Sequence, residues 1–149
     1  MSDFMFSFIP VTKENFKEVT RLFDRTQDDW VETPDQTWLN HILMTEGCEA
    51  LLIAEDAGTP IGYLQLEKEK APKNVYSLAL FLSKPFRGKG LGPSVLKDFI
   101  KIRPKTDKFV AYIAESNFLS ALAFVKAGFV PTNRTDPDGQ REYLLEQPV

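Results

Sequence analysis

Apolar residues along the chain switch between a period of two and a period of three to four, and the switches divide it into elements. "FSFIPV", residues 6–11, reads as a short strand, and Thr12 then caps a helix whose Phe16, Val19, Leu22 and Phe23 share one side. An acidic stretch follows. Thr33-Pro34-Asp35-Gln36 has the form of a capping box with proline at the first helical position, Trp38, Leu39, Ile42 and Leu43 form an apolar face, and Gly47 ends the helix. "EALLIAED" and "PIGYLQLEKE" are strands joined by the turn Asp56-Ala57-Gly58-Thr59, and "NVYSLALFLS" is a third after Ala71-Pro72-Lys73, which predicts an antiparallel meander. Leu91, Val95, Leu96 and Phe99 mark a helix that stops before Pro104, and "KFVAYIA" is a further long strand. A helix capped by Ser116 runs to Gly128, and "FVPT" and "REYLLE" close the chain around Asp136-Pro137-Asp138-Gly139. The predicted order is β-α-α-β-β-β-α-β-α-β-β, with no repeat, linker or low-complexity tract.

Composition narrows the class. A chain of 149 residues, 43% hydrophobic and 26% charged, fits one globular domain over residues 1–149. A net charge of -3 and a pI near 5.2 argue against nucleic acid as a partner. The charge is unevenly spread: residues 24–35 hold five acids against one base, and residues 84–108 hold eight bases against two acids. Two differently charged ligands would suit such a chain. The lone Cys48 cannot form an intrachain disulfide and reads as a buried thiol, and "MSDFMFSFIP" lacks the pattern of a signal peptide, so a cytoplasmic location is expected. No apolar run approaches the roughly 20 residues of a membrane-spanning helix, and no membrane partner is expected.

The stretch "PFRGKGLGPSVLKDFI", residues 85–100, places three glycines and two cations at the mouth of a helix. Free N–H groups and the positive end of the helix dipole meet there, and bare backbone lets a phosphate approach them closely. Arg87 and Lys89 would add attraction. A nucleotide P-loop is disfavoured, because no Lys-Ser/Thr pair follows a glycine at the required offset; Gly88, Gly90 and Gly92 also miss the third position of the dinucleotide fingerprint, and a meander precedes them. A simpler reading is a tight strand-to-helix turn with solvated cations.

R-x-x-G-x-G at Arg87, Gly90 and Gly92, directly after a strand and opening a helix, resembles the coenzyme A loop of the GNAT superfamily of acyl-CoA-dependent N-acyltransferases. "SNFLSALAFVKAGF", residues 116–129, is similar to a second signature of that family, with Asn117 at the asparagine position and Lys126-Ala127-Gly128-Phe129 as the helix-ending K-x-G-F. The resemblance covers residues 50–145 well and the earlier part by element order only. It implies an α/β (α+β) fold: one GNAT-type domain with a mixed, mostly antiparallel central sheet flanked by helices. It also implies acetyl-CoA as cosubstrate. The pyrophosphate would meet Arg87, Gly88, Lys89, Gly90, Leu91, Gly92 and Pro93, and the pantetheine arm would meet Leu80, Phe81 and Leu82, with Asn117, Phe124 and Lys126 completing the site. The loop, "KAGF" and "TDPDGQREYLL" look most similar to the aminoglycoside N-acetyltransferase branch. Homodimerisation stays open.

Phe124 stands where many members carry a tyrosine that protonates the departing thiolate, and phenylalanine has no proton to give. Tyr112, Tyr76, water or electrostatic stabilisation of the thiolate would have to serve. An amine attacks a thioester only when neutral, so a carboxylate or water chain must accept its proton. Glu115, where "KFVAYIA" meets the next helix, is the first candidate, because the family holds the thioester between this strand and its neighbour. Glu67, sharing strand parity with Tyr63 and Gln65, is the second. Each reads equally as a surface carboxylate. His41 reads as structural, and no His/Cys/carboxylate cluster at ligand spacing points to a metal. Asp28, Asp29 and Trp30, between the first two helices, are the candidates for recruiting a small cationic amine. A peptide amine, or coenzyme A binding without catalysis, are the competing readings.

Overall fold

A computed structural model describes residues 5–24 and 34–146. The chain forms β1 (Phe6–Pro10), α1 (Phe16–Asp24), α2 (Gln36–Met44), β2 (Cys48–Glu55), β3 (Pro60–Lys68), β4 (Val75–Leu82), α3 (Leu91–Lys101), β5 (Lys108–Ile113), α4 (Phe118–Lys126), β6 (Val130–Thr135) and β7 (Arg141–Glu146), with a 3-10 turn at Lys84–Phe86. This is the order that the periodicities predict. Caps shift by a residue or two. Asp35 caps α2, its carboxylate accepting from Trp38 N at 2.9 Å, so Pro34 precedes the cap instead of opening the helix, and Thr33 lies outside the described residues. Asn117, not Ser116, caps α4 by accepting from Ser120 N at 3.4 Å.

Seven strands form one sheet in the order β1-β2-β3-β4-β5-β7-β6. Every pair is antiparallel except β4 with β5, which α3 connects in parallel. Strand alternation sends two sets of apolar residues to opposite faces. On one face Leu64, Leu66, Leu78, Phe109 and Ala111 pack with Val95, Leu96 and Phe99 of α3 and Phe124 of α4. On the other, Leu52, Tyr63 and Phe81 pack with Val19, Leu22 and Phe23 of α1 and Leu39 and Ile42 of α2; Phe23 and Phe81 stack with ring centroids 4.1 Å apart. The buried Asp98 carboxylate of α3 accepts from Met5 N at 2.8 Å and Phe6 N at 3.2 Å, anchoring the start of β1 to that helix. No helix among the described residues is long and apolar enough to cross a membrane.

Candidate active site

The parallel pair supplies the site. β4 and β5 are in register only at Val75↔Lys108, Tyr76↔Phe109 and Ser77↔Val110, whereas β4 stays paired with β3 as far as Gly62↔Leu82. Beyond Ser77 the two strands part. A cavity of about 420 Å³ lies past that point, walled by the outer half of β4, the loop into α3, and α4. Leu80 and Leu82 face it from the α3/α4 side of the sheet; Phe81 also reaches the wall, while its ring is buried on the opposite face.

Arg87, Gly88, Gly90, Leu91, Gly92 and Pro93 form the loop side, and Asn117 and Lys126 stand opposite. Gly88 and Gly90 hold φ of 72° and 74°, and an added Cβ at either would meet nothing within 4 Å, so the left-handed backbone itself calls for glycine. Gly92 is needed for space: a Cβ there would come within 3.1 Å of the Ala123 Cβ, where α3 approaches α4. Gly90 caps α3 without a side-chain hydrogen bond, so no capping side chain occupies the N–H groups of Leu91 and Gly92, both residues of the cavity lining.

Arg87 and Lys126 are the charged residues of the lining among the described residues, and no carboxylate joins them. Arg87 also straps the loop to β4, its Nε donating to Leu82 O at 2.7 Å and its guanidinium lying 5.3 Å from the Phe81 ring centroid. The basic run does not act as one patch: Arg103 pairs with the buried Asp107 at 3.0 Å and lies over the rings of Tyr76 and Phe99. Lys89 is exposed and outside the lining. Phe124 is a correction to the expectation of a cofactor contact. It is 2% exposed, packs edge-on against Phe129 at 4.9 Å, and belongs to the core, because it lies about 100° round the helix from Ala123. Leu119, Leu122 and Ala123 join Lys126 in the wall at helical spacing, a signal present in the sequence but passed over.

The opposite face of the sheet has a different character. Tyr112 and its cross-strand partner Glu142 lie there by parity, just past the last β4–β5 pair. Tyr112 Oη donates to Glu69 Oε1 at 3.2 Å, and Glu142 Oε1 accepts from Thr132 Oγ1 at 3.0 Å. Burial first, then the charges of Glu69, Glu142 and Asp136 together with the Glu69 hydrogen bond, push the Tyr112 phenol from 10.0 up to about 12. Sequence reasoning missed Glu69 and Glu142, since their meeting depends on strand register. Tyr76 packs into the other face beneath Arg103, away from the cavity lining.

The candidate carboxylates occupy separate places. Glu115 follows β5, is 74% exposed at its side chain and lies 3.6 Å from Arg141. Glu67 is exposed on β3, in register between Cys48 and Ser77 and on the face of Tyr63 and Gln65. Burial and then the Glu67 carboxylate push the Cys48 thiol up, the reverse of what an activated nucleophile needs. His41, Cys48 and Glu67 place one ligand atom each within 4.8 Å of one another, which corrects the expectation of no such cluster. Asp28, Asp29 and Trp30 lie outside the described residues.

A wedge that ends at a glycine-capped helix, with cations and no acid on its wall, fits an apolar arm carrying phosphates. Comparison with known proteins agrees. A profile described as the Acetyltransferase (GNAT) family matches residues 16–129, so the chain belongs to that family. It is an acetyl-CoA-dependent acetyltransferase. Among solved structures, the aminoglycoside acetyltransferase AAC(6')-Ib in complex with coenzyme A is similar in fold, with TM-score 0.80, 21% identity, and 95% of this chain and 94% of that chain covered. The same enzyme with ribostamycin and coenzyme A gives TM-score 0.78, 20% identity, and 96% and 93% covered. An acetyltransferase from Thermus thermophilus gives TM-score 0.79, 19% identity, and 97% and 99% covered. No curated protein matches the chain in sequence.

Proposed function

We propose that the protein transfers the acetyl group of acetyl-CoA to a primary amine of a small cationic acceptor, by direct attack in a ternary complex. The observation that carries this reading is the separation of charge across the splayed strands. The cavity wall holds Arg87 and Lys126 without an acid, while Glu69, Glu142 and Glu67 lie on the opposite face. An anionic donor entering from the α3 end would carry its thioester toward the root of the wedge at Ser77 and Val110. An ammonium drawn to the carboxylates would meet it there. The likeness to structures of an aminoglycoside acetyltransferase supports the same class of acceptor.

The acceptor nitrogen must lose a proton, form its bond to the carbonyl carbon, and release the coenzyme sulfur. Glu115 and Glu67 are the residues assigned to accept that proton, directly or through water. Tyr112 is assigned to supply one to the sulfur in preference to Tyr76 on position, since it lies just past the last β4–β5 pair whereas Tyr76 packs beneath Arg103, away from the cavity lining. Single exposed ion pairs contribute at most about 1 kcal/mol, so several carboxylates acting together would select for multiple charge. The test is thiol release from acetyl-CoA over a panel of amines at low and high salt. Polyamines and amino sugars should show the lowest KM, and that advantage should shrink as salt screens the carboxylates. Preference for a peptide amine would transfer the assignment to a protein acetyltransferase. Binding of acetyl-CoA without thiol release by any amine would leave a coenzyme A sensing module.

A further inference from the structure

Cys48, the first residue of β2, lies seven positions after His41, in the last turn of α2, and their side chains meet. The turn between them is tightly set: Gly47 has φ of 85°, its carbonyl accepts from Lys68 N at 2.8 Å, and an added Cβ would lie 3.0 Å from the Lys68 Cβ. Register then brings Glu67 of β3 directly opposite Cys48. Nitrogen, sulfur and oxygen ligand atoms from three elements thus lie within 4.8 Å of one another, at the surface.

We propose that His41 Nε2, Cys48 Sγ and the Glu67 carboxylate bind one divalent transition-metal ion of the zinc class, apart from acetyl transfer. Zinc bonds of about 2.3 Å to sulfur and about 2.0–2.1 Å to nitrogen, at a tetrahedral angle, set the two ligands about 3.6 Å apart. The Cys48 Sγ to His41 Nε2 distance is 3.6 Å. The imidazole is suitably oriented, since Thr45 Oγ1 lies 3.2 Å from Nδ1, and with Nδ1 donating to it, Nε2 keeps its lone pair toward the sulfur. Glu67 closes the remaining gap by side-chain rotation. A thiolate and an imidazole select zinc, cobalt or copper over calcium and magnesium, which prefer oxygen. Cys48 would bind as thiolate, its proton passing to solvent, and a fourth position stays open to water. Such an ion would tie the end of α2 to β2 and β3.

Glu67 is also a candidate base, so binding is read by spectroscopy and not by turnover. The full chain, reduced and free of chelator, is titrated with Co²⁺. One equivalent should produce a thiolate-to-cobalt charge-transfer band and the visible bands of a tetrahedral site, both displaced by Zn²⁺. Cys48→Ser should abolish the charge-transfer band, His41→Ala and Glu67→Gln should each weaken binding at least about tenfold, and Thr45→Val about 10- to 100-fold. Circular dichroism and acetyl-CoA binding confirm that each variant is folded. No band at stoichiometric cobalt, or a band undiminished in both His41→Ala and Glu67→Gln, would overturn the site.

Discussion

The two faces of the sheet at the β4–β5 wedge are built from the same strands and differ in almost everything that matters to a ligand. On the α3/α4 side, Leu80, Leu82 and the glycine-capped start of α3 surround a cavity whose charged residues are both cations. On the α1/α2 side, Tyr112 is held by Glu69 and paired with Glu142. Alternation along a strand sends neighbouring residues to opposite faces, so one pair of splayed strands can present cations on one side and carboxylates on the other. The proposed reaction needs that: a polyanionic donor and an ammonium acceptor would have to meet without neutralising each other's binding groups.

The contrast between the faces should respond most strongly to changes in the carboxylates. Replacing the proton acceptor by its amide should lower turnover about 10²-fold or more with acetyl-CoA affinity nearly intact. Glu115→Gln and Glu67→Gln, measured side by side, assign the role, and normal turnover in both would hand it to water. Next comes Gly92→Val, whose added carbons crowd Ala123. Overpacking of this kind costs about 1–3 kcal/mol, which at this chain length lowers Tm by about 2–4 °C per kcal/mol. A variant with unchanged Tm would show that α3 and α4 are not so closely fitted. The weakest response concerns the acidic face alone. The Tyr112 phenol titrates higher in the fold than its ordinary value, so the native state holds its proton where the unfolded chain has lost it. Stability from this residue is therefore full below pH 10.0 and declines as pH rises toward about 12. Tyr112→Phe should flatten that alkaline decline in chemical denaturation; an identical pH profile would mean that burial and the neighbouring carboxylates do not raise the phenol in the fold.

Periodicity made the order of strands and helices legible, because burial on one face of each element is a local pattern. The glycine loop was legible as well, since its backbone demands are written in residue type, whereas Asn117 was read from the family resemblance and the cap of α4 was placed one residue early, at Ser116. What depends on pairing across the sheet was not. The point where β4 leaves β5, the meeting of Tyr112 with Glu69 and Glu142, and the gathering of His41, Cys48 and Glu67 all follow from register between strands far apart in sequence. Charge counting misled in one respect, as Arg103 lies in the basic run but is bound to Asp107 and two aromatic rings. Helix periodicity also carried a finer message than was read from it: Leu119, Leu122, Ala123 and Lys126 share the stripe that faces the cavity, and Phe124 does not.

Whether the wedge and its glycine-capped helix hold the donor is decided by titrating acetyl-CoA calorimetrically into the wild type and Gly90→Val. Valine would force a β-branched residue into a φ of 74° where space is open, at a local cost on the order of 1–3 kcal/mol, so the loop's backbone changes while the walls remain. The wild type should bind one acetyl-CoA per chain, more weakly as salt rises, and the variant should lose at least about tenfold in affinity. Unchanged affinity in a folded Gly90→Val protein would contradict this placement of the donor.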